Sequence, residues 1–139
     1  MTKLARFGVS LDNDLLKKFD ALIKKSGYGN RSEAIRDLIR DRLVEQEWEE
    51  EEKNVIGILG LVYNHEKREL TENLNAIQHQ HVHTTIASTH IHLDHDNCLE
   101  VIILKGTSGT VREVADHLLS TKNVKHGRLL LTTTGADLI

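Results

Sequence analysis

Near the start of the chain, apolar and polar side chains take turns: Phe7, Val9 and Leu11 alternate with Arg6, Gly8 and Ser10. A period of two over residues 5–11 predicts a short strand with one apolar and one polar face. The period then changes. Leu15, Phe19, Leu22 and Ile23 recur at helical spacing behind Asp12, the expected N-cap, and the run stops at Ser26-Gly27. Asn30 is the expected cap of a second helix, whose apolar stripe is Ala34, Ile35, Leu38, Ile39, Leu43 and Val44. Beyond it stand six Glu in eight residues, 45–52. Such a run predicts a solvated helical extension or a linker, with nothing in it that packs.

After the acidic run the pattern alternates between periods of two and 3.6. Strands are predicted at Val55–Tyr63, Thr84–Leu93, Leu99–Lys105 and Arg128–Thr133. Helices are predicted at Lys67–Ile77, with Leu70, Leu74 and Ile77 on one face, and at Val111–Leu119. The order β-α-β-β-α-β is the ferredoxin-like (ACT-like) split unit, which puts its helices on one face of an antiparallel sheet and frees the other face for partners. The expected fold class is therefore α+β. A βαα head spans 1–48, a linker 49–54, and a second domain 55–139.

Composition sharpens this picture in three respects. The 139 residues contain no long apolar run, so no membrane span is expected, and no apolar stretch near the N-terminus precedes a small-residue cleavage site. A single cysteine makes no internal disulfide, so a cytoplasmic location is expected. The net charge of −3 is unevenly spread: residues 1–42 hold ten Lys/Arg against six acids, +4, and the remainder holds eight against fifteen, −7. Phosphate attraction is local, so a basic head on an acidic body keeps nucleic acid open as a partner.

The lone N-terminal strand has no sheet partner in its own chain. Pairing with the same strand of a second copy would make a twofold antiparallel ribbon whose outer face repeats Arg6, Gly8 and Ser10. Such a ribbon fits the major groove of double-stranded DNA. The start of the second helix, Asn30-Arg31-Ser32, offers free N–H groups and a positive dipole end to a phosphate. Without a DNA partner, the same pattern describes a dimerisation module.

Six of the nine histidines lie between positions 79 and 95, and the only cysteine follows at Cys98. His-rich tracts beside cysteine bind metal. On one strand His90 and His92 face the same way, and the Asp-His-Asp-Asn turn at 94–97 brings Cys98 back beside them. Imidazole with a thiolate excludes Mg2+ and Ca2+ and suits Zn2+, Cu2+, Co2+ or Ni2+. A planar set would favour Ni2+ or Cu2+, a tetrahedron Zn2+. His79, His81 and His83 are sources for a fourth ligand, and a second subunit is another. His65, His117 and His126 stand isolated in the sequence and read as surface or satisfied histidines rather than ligands; His81 and His95 read as solvent-facing members of the tract. A catalytic Cys-His pair would lack an oxyanion loop. An open zinc site would need a carboxylate base such as Asp94 or Asp96. A metal carrier would have no use for Arg6 on a basic strand. An enzyme with a small organic substrate is thus not expected.

The spacing His65-x13-His79-x10-His90-x-His92-x5-Cys98 stands with Tyr63-Asn64-His65-Glu66-Lys67-Arg68 and Cys98-Leu99-Glu100 around it. Together with Gly27-Tyr28-Gly29-Asn30-Arg31-Ser32-Glu33-Ala34-Ile35-Arg36-Asp37 in the head, it resembles the nickel-responsive ribbon-helix-helix repressors, the NikR family. That resemblance implies a homotetramer, a dimer of dimers, holding one Ni2+ per subunit in a square plane. The ligands it implies are His90, His92 and Cys98 of one subunit with His79 of another. It implies repression of nickel-uptake genes at a palindromic operator, read by the positions of Arg6, Gly8 and Ser10. Relatives commonly carry a hydroxyl residue where this chain has Gly8, and a glycine reads no base edge. It also implies secondary cation or DNA contacts at Glu33, Asp37, Lys67 and Arg68.

Overall fold

The computed structural model describes residues 3–139, and the chain divides into two compact units, Met1–Arg40 and Asp41–Ile139. In the first unit, α1 (Asn13–Lys25) begins where Asp12 accepts a hydrogen bond from the Asp14 N–H at 2.8 Å. It ends in a Schellman turn: the N–H of Tyr28 bonds the carbonyl of Ile23, that of Gly27 bonds Lys24, and Gly27 takes φ +84° at no steric cost. The second helix, α2 (Arg31–Glu49), opens on Asn30, whose side-chain oxygen accepts the Glu33 N–H at 2.9 Å. Both caps are the expected ones.

Residues 5–11 do not form a strand within the chain, because a ladder needs a partner strand and none lies beside them. Their apolar side chains stay in solvent, Phe7 at 72%. Within this unit only Ile23 and Ala34 are buried among the described residues, and Leu22 remains 60% exposed. Two amphipathic helices of this length cannot enclose their own apolar stripes.

The second unit corrects the reading of the acidic run. Helix α2 continues through it to Glu49, and Trp48 is buried in the core of this unit. The indole N–H donates to the Thr132 carbonyl at 2.8 Å, and the Arg112 guanidinium lies 5.1 Å from the ring centroid. Glu45 and Glu49 stay exposed on the other sides of the helix, as does Glu50 just beyond its end, while Glu47 is buried next to Trp48.

Four strands follow: β1 (Asn54–Asn64), β2 (Thr85–His92), β3 (Asn97–Thr107) and β4 (Val124–Thr133), with α3 (Arg68–Gln80) and α4 (Ser108–Leu119) between them. The sheet is antiparallel in the order β2-β3-β1-β4, the expected split arrangement. Strict alternation puts Val55, Leu59, Leu61 and Tyr63 of β1 and Cys98, Glu100, Ile102 and Leu104 of β3 on the buried face. Leu70, Leu74 and Ile77 of α3 and Val111, Val114 and Leu118 of α4 complete the core. The opposite parity, with Ile58, Val62, Leu99, Val101, Ile103 and Leu130, forms a second apolar face that, among the described residues, α3 and α4 of this unit leave uncovered.

Gly127 of β4 is a point of close approach. A Cβ there would meet Leu119 Cδ2 at 2.4 Å, Leu61 Cδ2 at 2.8 Å and the Gly60 carbonyl oxygen at 3.0 Å. Gly127→Ala is expected to destabilise this unit by about 1–3 kcal/mol, since a backbone carbonyl cannot rotate away as a side chain can. Urea unfolding followed by circular dichroism measures it, and an unchanged midpoint would contradict the packing described.

Candidate metal centre

The hairpin between β2 and β3 builds the centre. Asp94 closes its turn by accepting the N–H groups of Asp96 at 2.9 Å and Asn97 at 2.8 Å, and the Asn97 side-chain amide as well. Those bonds, the Asn97 side chain first, hold the Asp94 carboxyl down to about 2. The N–H of Leu93 bonds the Asn97 carbonyl at 2.9 Å and sets the register in which His92 faces Cys98 and His90 faces Glu100.

The expected trio is thereby gathered on one face. Cys98 is a free, buried thiol, 2% exposed, with its Sγ 4.0 Å from His90 Nδ1. His90 and His92 lie exposed at the rim above it. Two imidazoles and one thiol are donor types that suit a borderline or soft divalent ion, and this chemistry fits nickel. Of the three, His90 and Cys98 are in contact, while His92 is placed by the strand register opposite Cys98. His79 does not join them. Helix α3 runs past Ile77 to Gln80, so His79 belongs to its last turn and faces solvent.

Three histidines gain neighbours in space that the sequence does not show, while His95 and His117 stay exposed as expected. His65 is half-buried and satisfied: its ring meets that of His92 edge to face at 4.8 Å between centroids, and its Nε2–H donates to the His95 carbonyl at 2.8 Å. The end of β1 runs beside the hairpin turn, as the bond from the His65 N–H to the Asp96 carbonyl records. His117 likewise finds a neighbour in His81, at 6.4 Å between ring centroids. His95 is exposed, and its Nδ1 is 3.0 Å from Asp96 and 3.8 Å from Glu66. The ligand atoms of these three residues all lie within 4.8 Å of one another.

Beneath the trio is a polar group that residue patterns did not assign a role. Glu100 is 1% exposed and accepts three hydrogen bonds of 2.8 Å, from Tyr63 Oη, Gln78 Nε2 and Ser88 Oγ. The signal was present: in the buried parity Cys98, Glu100, Ile102, Leu104, a carboxylate stands where only apolar groups survive unaided. Burial first, and the bond to Glu100 second, raise the Tyr63 pKa above its ordinary 10.0. A raised folded value means that this contribution to stability is complete below pH 10 and declines as pH rises further. Tyr63 is expected to stay un-ionised until the fold opens. A ring-carbon NMR titration that shows it ionising near pH 10 in the native state would refute this.

In the head, Arg31 forms a fork with Asp20, both bonds 2.8 Å, so its guanidinium already ties α2 to α1. Asn30 is used as a cap. Asp37 accepts the Tyr28 hydroxyl at 2.7 Å and Arg40 at 3.0 Å, which lowers its pKa. Glu33 and Ser32 are exposed, as are Arg6, Gly8 and Ser10. Lys67 reaches Asn123 at 3.4 Å, and Arg68 pairs with Glu72 along α3. No helix of the described residues is long and apolar enough to cross a membrane.

Comparison with known proteins bears on both units. Residues 56–132 match the family model of the NikR C-terminal nickel-binding domain, and residues 5–46 match that of the ribbon-helix-helix proteins of the copG family. A nickel-responsive regulator of Solibacter usitatus is 58% identical over 138 residues, 99% of each chain. One from Nitratidesulfovibrio vulgaris is 56% identical over the same share. One from Pyrococcus furiosus is 48% identical over 136 residues, 98% of this chain and 99% of that one. The uncharacterized protein TM1266 from Thermotoga maritima superposes with a TM-score of 0.50 at 13% identity, over 55% of this chain and 95% of its own; that likeness concerns the fold alone.

Proposed function

The chain belongs to the NikR family of nickel-responsive regulators, with a DNA-binding ribbon-helix-helix head and a nickel-binding domain, and from that premise we propose that it is a cytoplasmic repressor of nickel-uptake genes. It is a regulator and not an enzyme. In this reading residues 1–48 bind a palindromic operator, 49–54 link, and 55–139 bind metal and assemble a dimer of dimers. One Ni2+ per subunit is held by His90, His92 and Cys98 of one chain and His79 of another. Nickel acts by binding the operator-competent state of the tetramer more tightly than the other state.

One observation carries the reading: Cys98 Sγ stands 4.0 Å from His90 Nδ1 with His92 directly across from Cys98, while His79 faces outward on α3. In this reading the chain supplies three donors at its β2–β3 hairpin and offers a fourth to a neighbour. Two further features support assembly. The uncovered apolar sheet face needs a partner, and the exposed Phe7, Val9 and Leu11 need a second strand. Arg6 is expected to read a base edge from the ribbon, with Ser10 beside it, while Asn30, Arg31 and Ser32 present the start of α2 to phosphate. Glu33, Asp37, Lys67 and Arg68 remain the proposed secondary cation or DNA contacts.

A gel-shift titration on the promoter of a nickel-uptake gene, with and without Ni2+, tests the reading, alongside sedimentation of the loaded protein. Nickel-dependent retardation and a mass about four times 15.8 kDa are expected. A loaded dimer, or retardation indifferent to nickel, refutes it. Arg6→Ala should weaken operator binding about 10- to 100-fold while leaving nickel uptake by the protein unchanged.

A further inference from the structure

Glu100 lies under the metal centre but touches more than the centre. Its Oε1 takes the amide of Gln78 and the hydroxyl of Ser88, and its Oε2 takes Tyr63. His90 Nε2 faces Oε1 at 3.5 Å, and His90 Nδ1 lies 3.2 Å from the Tyr63 hydroxyl and 4.0 Å from Cys98 Sγ. The orientation of that imidazole is therefore held from below, as outer partners hold metal-ligating histidines generally. Gln78 belongs to a different arm of the same cluster. It is the residue before His79, in the last turn of α3, and its amide is the polar bond that ties that turn to the sheet.

We propose that Glu100 and Gln78 form a strut that joins the two metal half-sites of one chain: the inward trio His90, His92 and Cys98, and the outward His79. This rests on the reading in which His79 serves a neighbouring subunit's site. An ion at the trio fixes His90. A fixed His90 confines Glu100, and through Gln78 confines the turn that carries His79. The next site then receives a ligand already ordered, so successive ions bind more tightly. Gln78 is a positioning residue in this scheme, since it meets no ion. Ser88 bonds the same carboxylate from β2 and leads to no second ligand, so it supplies the control.

The full-length protein is titrated with Ni2+ and followed by its thiolate-to-nickel absorption, with Gln78→Leu, Gln78→Asn and Ser88→Ala beside the wild type. The wild type and Ser88→Ala are expected to titrate with a Hill coefficient above 1. Both Gln78 variants are expected to keep the absorption maximum and full stoichiometry while the coefficient falls to about 1. In the metal-free protein, amide hydrogen exchange over residues 77–81 should quicken roughly fivefold in the Gln78 variants, the loss of one net hydrogen bond. Either variant serves if the other fails to fold. Gln78 variants as cooperative as the wild type, a non-cooperative wild type, or a Ser88→Ala protein that also loses cooperativity each overturn the strut. No thiolate absorption in the wild type overturns the nickel centre itself, and the strut with it.

Discussion

Cys98→Ala is expected to remove nickel-dependent operator binding while leaving the metal-free fold almost as stable as before. The thiol is the only cysteine thiol in the chain and lies buried beside His90. Loss of an outer partner of a metal ligand costs 10- to 100-fold in affinity, so loss of a ligand costs more than about 100-fold. Removing one buried sulfur costs the apo protein only about 1 kcal/mol, as small apolar truncations do. The two effects separate cleanly. Thermal unfolding without metal should shift little, the thiolate absorption should vanish, and gel shifts should no longer respond to nickel. A variant that still represses in a nickel-dependent manner would place the ion elsewhere among the histidines.

The second large effect is on stability. Trp48→Ala is expected to cost about 3–5 kcal/mol, a large share of the 5–15 kcal/mol that holds a typical domain. The indole fills the core of the second unit, donates to the Thr132 carbonyl at 2.8 Å and receives Arg112 on its face. Trp48→Phe keeps most of the packing and the ring face but loses the hydrogen bond, so its cost should be nearer 1 kcal/mol. Urea midpoints from circular dichroism distinguish the pair. If both variants unfold with the wild-type midpoint, the last turn of α2 contributes nothing to this core.

How much of this was legible beforehand differs by residue. The caps at Asp12 and Asn30 depend on side-chain chemistry within three residues of the helix start, and sequence alone identified both. The trio depended on strand parity and one turn, which are also local, and the register His92 to Cys98 followed. Trp48 was hidden because its neighbours are six glutamates, and composition over a window cannot show that a single side chain per turn reaches a core. His65 looked isolated because its partners lie 27 and 30 residues on, at the end of a strand pair whose alignment no window contains. Glu100 stood in a buried parity, but its donors come from β1, β2 and α3, and a sequence does not say which strands will be neighbours.

By itself the sequence determined the order of elements beyond the head, the α+β class and the family, and it singled out His90, His92 and Cys98 as proposed metal donors, because each rests on periodicity, spacing or motif within a few residues. Tertiary structure decided the rest. It brought the end of β1 against the hairpin turn, hung α3 from Glu100, and seated Trp48 beside Thr132. It also left residues 5–11 without a partner to form a strand, and one face of the sheet without a helix of the second unit over it. The physical reason is the same in each case. A hydrogen bond or a packed ring between distant residues exists only once the sheet order fixes which strands meet, and the groups left unpaired after that are the ones a second chain must satisfy.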